Sequence, residues 1–411
     1  MLGLTQPEEA SMQTTTELEY APLLDAQVPS TSPDTPAGTS IAPPRTLLAS
    51  IELSKARWVI TALATGSSKM SRHEVTGGDG AGLLELLRRL RNKAEQRLGA
   101  KVSIVTIQEA GIDGFWIHRM LESNDIESYV VDATSIAVAR RFRRVKTDTI
   151  DGEGLVRTLA AWKRGEPRVC SMVVVPTLAE EDRRRLTRER RTLIAERIRF
   201  TNRVKGLLFA HGIRGFIATR SDRYIRLAEL RCADGLPLPP RVMTEVTRAL
   251  ERLELVQKQL FTVCKERDAC VRDCVEAAPA RTLETLKGIG PEIASTLWLE
   301  GLYRHFANRR DVAAYAGLAP SPYQSGDMAR DQGISKSGNP RLRSTMVELT
   351  WLWLRHQPAS KLSLWFQARV RSDAGRIRKI MICALARKLL IALWRFTTTG
   401  EVPEGAVLKP A

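Results

Sequence analysis

Two patterns of apolar and polar residues divide this chain into regions. The first region contains short apolar runs typical of strands, separated by segments with the periodicity of helices. The apolar runs lie at 47–53, 58–63, 102–108 and 127–132, and the helical segments lie at 83–91 and about 112–122. Strands alternating with helices are typical of a layered α/β domain. We predict such a domain over residues 46–176, with a largely parallel inner sheet that begins with a hairpin of the first two runs.

From residue 177 onward, apolar residues recur every three or four positions among many charged ones. Two long stretches of this kind, 180–208 and 250–263, are separated by a Pro/Gly-rich break at 235–240. The pattern predicts a helical arm of coiled-coil type over 177–280, and such arms often pair between subunits. A third region, 281–400, is again mainly helical and is followed by a short tail, 401–411.

Residues 1–45 are rich in Pro, Thr and Ser and poor in large apolar groups, which predicts a disordered extension. We find neither the basic start and apolar core of a signal peptide nor an apolar stretch long enough to span a membrane. The six cysteines are scattered without the paired spacing of a zinc site. These features predict a cytoplasmic protein with free thiols.

The charge balance is strongly positive, with 63 Lys and Arg against 46 Asp and Glu and a net charge of +17. A surplus of this size attracts a polyanion, and DNA or RNA is the commonest one. The 180–208 segment is especially rich in Arg. Either a solvated, salt-bridged helix face or binding to a nucleic-acid backbone explains that excess, and both readings stay open.

Four carboxylates are candidates for a metal site. Glu52 and Glu109 each end an apolar run, and Asp148 and Asp151 are spaced three apart, on one face of a helix. Carboxylates gathered at strand ends hold Mg²⁺ for phosphodiester chemistry, because this hard ion prefers oxygen ligands. The alternative for the aspartate pair is a helix start, with Asp148 as the N-cap.

The residues just before the aspartate pair favour the metal site over the cap. They are basic, as suits a phosphate backbone that arrives at a metal ion, and they comprise Arg140, Arg141, Arg143, Arg144 and Lys146.

Two segments of the third region also carry candidate chemistry. Lys287, Gly288 and Gly290 form a Gly-x-Gly turn entering a helix, which indicates either a phosphate-binding helix-hairpin-helix or a tight turn between packed helices. Ser325 lies in a polar loop, 321–330, and its spacing alone indicates an ordinary turn residue. Nearby cations can stabilise charge on a phosphoryl group; they are Arg330, Lys336, Arg341 and Arg343.

Taken together, these segments resemble the DEDD insertion-sequence transposases of the "one-ten" family, whose members use a structured bridge RNA to choose donor and target DNA. The strongest motif is Lys146-Thr-Asp-Thr-Ile-Asp151, close to that family's Lys-Thr-Asp-x-x-Asp signature. The supporting motifs follow in the expected order at 51–55, 108–111, 286–291, 314–320, 324–326 and 333–343.

The resemblance implies an N-terminal ribonuclease-H-like (RuvC-like) domain, a coiled-coil arm, and a C-terminal transposase domain with a catalytic serine. It implies that Glu52, Glu109, Asp148 and Asp151 bind Mg²⁺ and that Ser325 attacks the phosphodiester. The implied partners are double-stranded DNA, a structured guide RNA and further copies of the chain, as a dimer or tetramer. One departure is Glu52, where the family has aspartate; glutamate still ligates Mg²⁺.

Three readings follow from the sequence. The first is an active, RNA-guided DNA recombinase. The second is a transposase that has lost catalysis and acts only as an RNA- and DNA-binding protein. A weaker third is a junction-resolving nuclease of the same fold, which has no use for Ser325.

Overall fold

The computed structural model describes residues 45–111, 114–136, 148–325, 328–370 and 375–410. Within them it describes the backbone alone for residues 134, 148–150, 322–325, 328–332 and 376. The predicted N-terminal extension, apart from Arg45, and the basic run at 140–146 lie outside the described residues.

The first region contains a five-stranded sheet in the order β3-β2-β1-β4-β5. Its strands are β1 (Thr46–Glu52), β2 (Arg57–Ala64), β3 (Ser71–Thr76), β4 (Ser103–Glu109) and β5 (Glu127–Val131). The strands β1 to β3 pair antiparallel, whereas β4 pairs parallel with both β1 and β5. The predicted α/β architecture and its opening hairpin are thus confirmed, whereas the sheet is mixed and not largely parallel, because two of its four strand pairings are antiparallel. Strand β3 was not predicted from the sequence.

Helices cover both faces of this sheet. Helices α1 (Gly80–Leu98) and α2 (Trp116–Glu122) pack on one face against alternate residues of β1 such as Ala49 and Ile51. Helix α3 (Asp148–Lys163) packs on the other face, against Leu48 and the side chains of β4 that point the same way. Every residue of β1 except the last is buried, since both of its faces are covered.

The second region is an antiparallel pair of long helices, α4 (Leu178–Phe209) and α6 (Pro240–Asp273). Thr177 and Glu180 form a capping box at the start of α4, and Pro240 occupies the first position of α6, where its missing N–H costs nothing. At the outer end of the arm, the connecting chain and α5 (Arg223–Glu229) fold over the two helices around a small core of their own.

The third region is helical, with one hairpin inserted in it. Its helices are α7 (Ala278–Glu284), α8 (Pro291–Leu297), α9 (Arg309–Tyr315), α10 (Pro340–His356), α11 (Lys361–Arg369) and α12 (Gly375–Thr399), and a π-helical turn (Trp298–Leu302) continues α8. They enclose a core that includes Trp298, Met346 and Trp353.

The segment predicted as a polar loop around Ser325 is instead an antiparallel hairpin, so that prediction was wrong. Its strands are β6 (Pro320–Ser325) and β7 (Met328–Ile334). The sequence 320–325 lacks the apolar alternation of a half-buried strand, and the hairpin is held by pairing between its own two strands.

The 401–410 segment packs on the third region. Leu408 forms a β-bridge with Leu286, and the backbone N–H of Lys409 donates to the Thr285 carbonyl at 2.7 Å. No helix among the described residues is long and apolar enough to cross a membrane. The ribonuclease-H-like assignment and the domain limits drawn at residues 176, 280 and 400 stay predictions.

Candidate active site

Glu52 and Glu109 lie at the same edge of the sheet. Ile51 of β1 is in register with Gln108 of β4, and each glutamate follows as the last residue of its strand. The two strands are parallel, so their carboxyl ends meet at one edge. By strand alternation, Glu109 shares the face of Ile107, which packs in the α3-side core.

The first turn of α3 is hydrogen-bonded to β1 and packs closely against Glu52. The Ser50 hydroxyl donates a hydrogen bond of 2.9 Å to the Gly152 carbonyl, across 102 residues of sequence. A Cβ at position 152 would collide with the Glu52 carboxylate oxygen and the Thr61 hydroxyl. Glycine inside a helix is destabilising unless packing requires it, and here it allows the helix to approach the carboxylate closely.

This contact brings the aspartate pair to the sheet edge. Asp148 is the first residue of α3 and Asp151 immediately precedes Gly152, so the first turn carries both to the region of Glu52. Among the described side chains, no three of the His, Cys, Asp or Glu residues are grouped closely enough to hold a metal ion. The side chain of Asp148 is not among them, so whether it caps α3 or binds metal stays open.

Ser325 is the last residue of β6 and pairs with Met328 at the tip of the hairpin. Its side chain and that of Arg330 lie outside the described part of the chain. The nucleophile role of Ser325 therefore stays a prediction.

Two glycines hold the base of this hairpin. Gly317 and Gly338 both have left-handed φ angles, of 65° and 89°. A Cβ on Gly317 would collide with the Ser337 carbonyl, and one on Gly338 with the Tyr315 carbonyl. The segments 314–320 and 333–343 are separate in the sequence, but their backbones therefore pack in direct contact.

The cations beside the hairpin have different surroundings. Arg343 donates from Nη1 to the carbonyls of Lys336, at 2.9 Å, and Ala316, at 3.3 Å. Its guanidinium therefore helps to hold the turn. The side chains of Lys336 and Arg341 are exposed, and Arg341 lies in the first turn of α10.

The turn with Gly288 and Gly290 is covered by the 401–410 segment. The N–H of Lys287 donates to the Val407 carbonyl at 3.0 Å, and the N–H of Ile289 donates within the turn to Leu286. These two donors are thus engaged inside the protein. The proposed role of Lys287, Gly288 and Gly290 in nucleic-acid binding stays a prediction.

A buried polar contact near the hairpin was missed in the sequence. Glu300, only 1% exposed, lies in the π-helical turn and accepts hydrogen bonds from Arg188 Nε at 3.2 Å and Asn339 Nδ2 at 2.9 Å. Asn339 also caps the start of α10. The available signal was an acid inside an apolar run, Trp298-Leu-Glu-Gly-Leu302.

Arginines at the start of α4 make contacts with the third region. Arg190 forms an ion pair with Glu292, and Arg191 contacts the Ser344 hydroxyl at 3.5 Å. Arg184 lies with its guanidinium carbon 4.2 Å from the centre of the Tyr303 ring, where burial raises the pKa of the tyrosine hydroxyl. Part of the Arg excess that drew attention in the sequence is therefore structural.

Comparison with known proteins supplies the family. Residues 280–363 match the model described as "Transposase IS116/IS110/IS902 family". The chain is 55% identical over 375 residues to a putative transposase, y4rJ, of Sinorhizobium fredii, an alignment that covers 88% of this chain and 94% of the relative. This chain belongs to the IS116/IS110/IS902 family of transposases.

More distant relatives agree with this. The transposase for insertion sequence element IS1328 of Yersinia enterocolitica is 28% identical, over 53% of this chain and 63% of the relative. The transposase for IS1111A of Coxiella burnetii is 27% identical, over 55% of this chain and 61% of the relative. The chain is thus an insertion-sequence transposase, an enzyme class that cuts and rejoins DNA.

Proposed function

We propose that this transposase transfers phosphodiester bonds at a site where Glu52, Glu109, Asp148 and Asp151 hold Mg²⁺ and Ser325 is the nucleophile. The observation that carries the proposal is the seating of α3 on the sheet edge. Gly152 lies so close to Glu52 that a Cβ at position 152 would collide with the Glu52 carboxylate, and both aspartates precede Gly152 in the first turn of the same helix. The strand order, with three antiparallel and two further parallel strands, supports a ribonuclease-H-like assignment.

The donor set suits the metal. The four candidate ligands are carboxylates from two strand ends and one helical turn, and Mg²⁺ prefers such oxygen ligands. When bound there, the ion would supply charge neutralisation at the scissile phosphate.

The chemical step falls to Ser325. Its hydroxyl oxygen bonds to the phosphorus, the bridging P–O bond of the DNA strand breaks, and the departing oxygen takes up a proton. The exposed cations Lys336 and Arg341 stabilise the negative charge of the phosphoryl group under attack. Arg343 acts through the backbone that it holds, as a positioning residue.

The proposal includes a structured guide RNA and a homo-oligomer. The net charge of +17 supports binding of a second polyanion besides the DNA. The acids and the serine belong to different regions of the chain, so the site forms when these regions dock, within one subunit or between two.

The test is a search for a covalent intermediate. Full-length protein is incubated with Mg²⁺, RNA transcribed from the DNA that flanks the gene, and a labelled duplex that carries the element end. We expect a protein–DNA adduct that survives denaturing electrophoresis and maps to Ser325. Ser325→Ala should bind both nucleic acids without forming an adduct, while the control Ser321→Ala keeps it.

The acids are tested in the same assay. Asp148→Asn and Asp151→Asn should abolish strand cleavage and leave the melting temperature and RNA binding unchanged. A variant that loses thermal stability but still cleaves would favour the capping role. Wild-type protein that binds RNA and DNA without any cleavage would favour the second reading, a nucleic-acid-binding protein without catalysis.

A further inference from the structure

A groove of about 470 Å³ lies at the outer end of the arm, far along α4 from the third region. One wall is a single face of α4, because Thr201, Lys205 and Phe209 follow one another at four-residue spacing. The chain that follows α4 supplies the other wall, with Arg214 and Ile217 among its residues.

The groove has an aromatic and apolar surface that is open to solvent. The Phe209 side chain is 59% exposed and Ile217 is 51% exposed. The guanidinium carbon of Arg214 lies 5.0 Å from the centre of the Phe209 ring. An exposed aromatic ring beside an arginine is the arrangement on which proteins stack unpaired bases.

The chain segment that forms the groove carries mostly positive charge. Residues 197–226 contain eight arginines and lysines against one aspartate. Within the described residues, Arg203, Arg220 and Arg223 have acidic partners in ion pairs. Lys205 and Arg214, which both line the groove, form no ion pair within the described residues. Their charge is therefore available to a phosphate.

We infer that this groove binds an unpaired base of RNA, stacked on Phe209 and Arg214, with its phosphate near Lys205. The inference rests on the proposed function, in which a structured RNA guides the transposase. Charge complementarity selects a polyanion, since a purely apolar partner would leave the basic rim unpaired. The Thr201 and Thr219 hydroxyls, which also line the groove, suit the extra hydroxyl of ribose.

The probes are a fluorescein-labelled 12-base oligouridylate, the matching oligodeoxythymidylate, and a 20-base-pair DNA duplex, all measured by anisotropy over a salt series. Phe209→Ala in the full-length protein should weaken oligouridylate binding about 5- to 100-fold. The slope of log affinity against log salt should not change, because no phosphate contact is lost. Phe209→Trp should restore binding.

Two further variants complete the design. Lys205→Ala should lower the salt slope by about 0.7, the value for one phosphate contact of a single strand. The control is Phe261→Ala on α6, whose side chain is 73% exposed but lies outside the groove. It should change neither affinity nor slope. A 4-thiouridine in the RNA should cross-link to the peptide that contains residues 205–219.

Several outcomes would overturn the inference. One is wild-type affinity for oligouridylate in Phe209→Ala. Another is a Phe209→Ala variant that loses as much affinity for oligodeoxythymidylate as for oligouridylate, which would assign the groove to single-stranded nucleic acids in general. A third is a concentration-dependent dimer that Phe209→Ala abolishes, which would assign it to a second copy of the chain. These outcomes are separate from the test of the proposed function. If the wild-type protein forms the adduct at Ser325 and one of these outcomes is found, the proposed function stands and only the groove assignment fails. If the wild-type protein forms no adduct but its RNA binding depends on Phe209, the proposed function fails and the groove assignment stands.

Discussion

The two ends of helix α4 use the same residue type for different purposes. Near its start, Arg188 and Arg190 form ion pairs with Glu300 and Glu292 of the third region. Toward its end, Lys205 and the following Arg214 line an open groove and have no ion pair within the described chain. The start of the helix is thus a structural joint, and its end presents charge to solvent.

The difference shows why a count of arginines along a helix does not reveal their role. The acids that pair with the joint arginines lie about 100 residues downstream, on α8 and its π-helical extension. Near the groove, only Asp222 offers a negative charge between residues 197 and 226. The two explanations that the sequence leaves open, a salt-bridged face and a nucleic-acid-binding face, therefore describe different ends of one helix.

The largest expected effect is at the joint. Glu300→Ala removes the buried carboxylate that Arg188 and Asn339 share, which leaves the Arg188 guanidinium without this acceptor, while the Asn339 amide keeps its hydrogen bond of 2.9 Å to the backbone carbonyl of residue 300. Removal of one member of such a contact should lower the free energy of unfolding by about 2–4 kcal/mol, less than for a fully buried pair because Arg188 is 33% exposed. Urea unfolding followed by tryptophan fluorescence measures this change.

The matched control is Glu276→Ala. Glu276 also pairs with an arginine of α4, Arg183, at 3.6 Å, but its side chain is 65% exposed. Exposed pairs contribute about 0–1 kcal/mol, so this variant should be nearly as stable as the wild type. Equal costs at the two positions would contradict the description of the Glu300 site as a buried joint.

The second prediction compares the two ends directly. Replacing Arg199, Lys205 and Arg214 together by Ala should weaken single-stranded RNA binding about tenfold or more and lower the salt slope by about 2. The free energy of unfolding should hardly change, because these side chains are exposed.

At the start of α4, where the arginines pair with the third region, we expect a loss of stability without a change in RNA binding. Replacing Arg183, Arg188 and Arg190 by Ala should lower the unfolding midpoint in urea and leave the salt slope at its wild-type value. If this triple variant lowered the slope of log affinity against log salt by about 2, these arginines would bind nucleic acid despite their internal contacts. The proposed difference between the two ends of α4 would then be wrong.

The sequence predicted the α/β region well where burial decides the structure. The runs that became β1, β2, β4 and β5 are apolar because helices cover the sheet. Strand β3 escaped notice because it is an edge strand with the polar sequence Ser-Arg-His-Glu-Val-Thr and little burial. The hairpin of β6 and β7 escaped for a related reason, since the sequence 320–325 lacks the apolar alternation by which a half-buried strand is recognised.

Part of the candidate site also followed from the sequence. Strand ends and a three-residue spacing predicted the shared sheet edge of Glu52 and Glu109 and the helical turn with Asp151. The contact of Gly152 with Glu52 was not foreseen, because it joins positions 100 residues apart. A glycine just after the aspartates, inside a helix, was the available sign of a close approach.

The smallest expected effect tests whether pairing or position on the arm decides the role of an arginine. Arg203 lies in the outer half of α4, yet it forms an ion pair with Glu245 at 2.6 Å, with both side chains about half exposed. Arg203→Ala should cost less than about 1 kcal/mol in urea unfolding, and less still in high salt. Because Glu245 already neutralises this charge, the variant should lower the salt slope of RNA binding less than Arg214→Ala does. An equal decrease in both variants would mean that the field of the whole outer end attracts RNA, and that the unpaired charges at the groove have no special part in it.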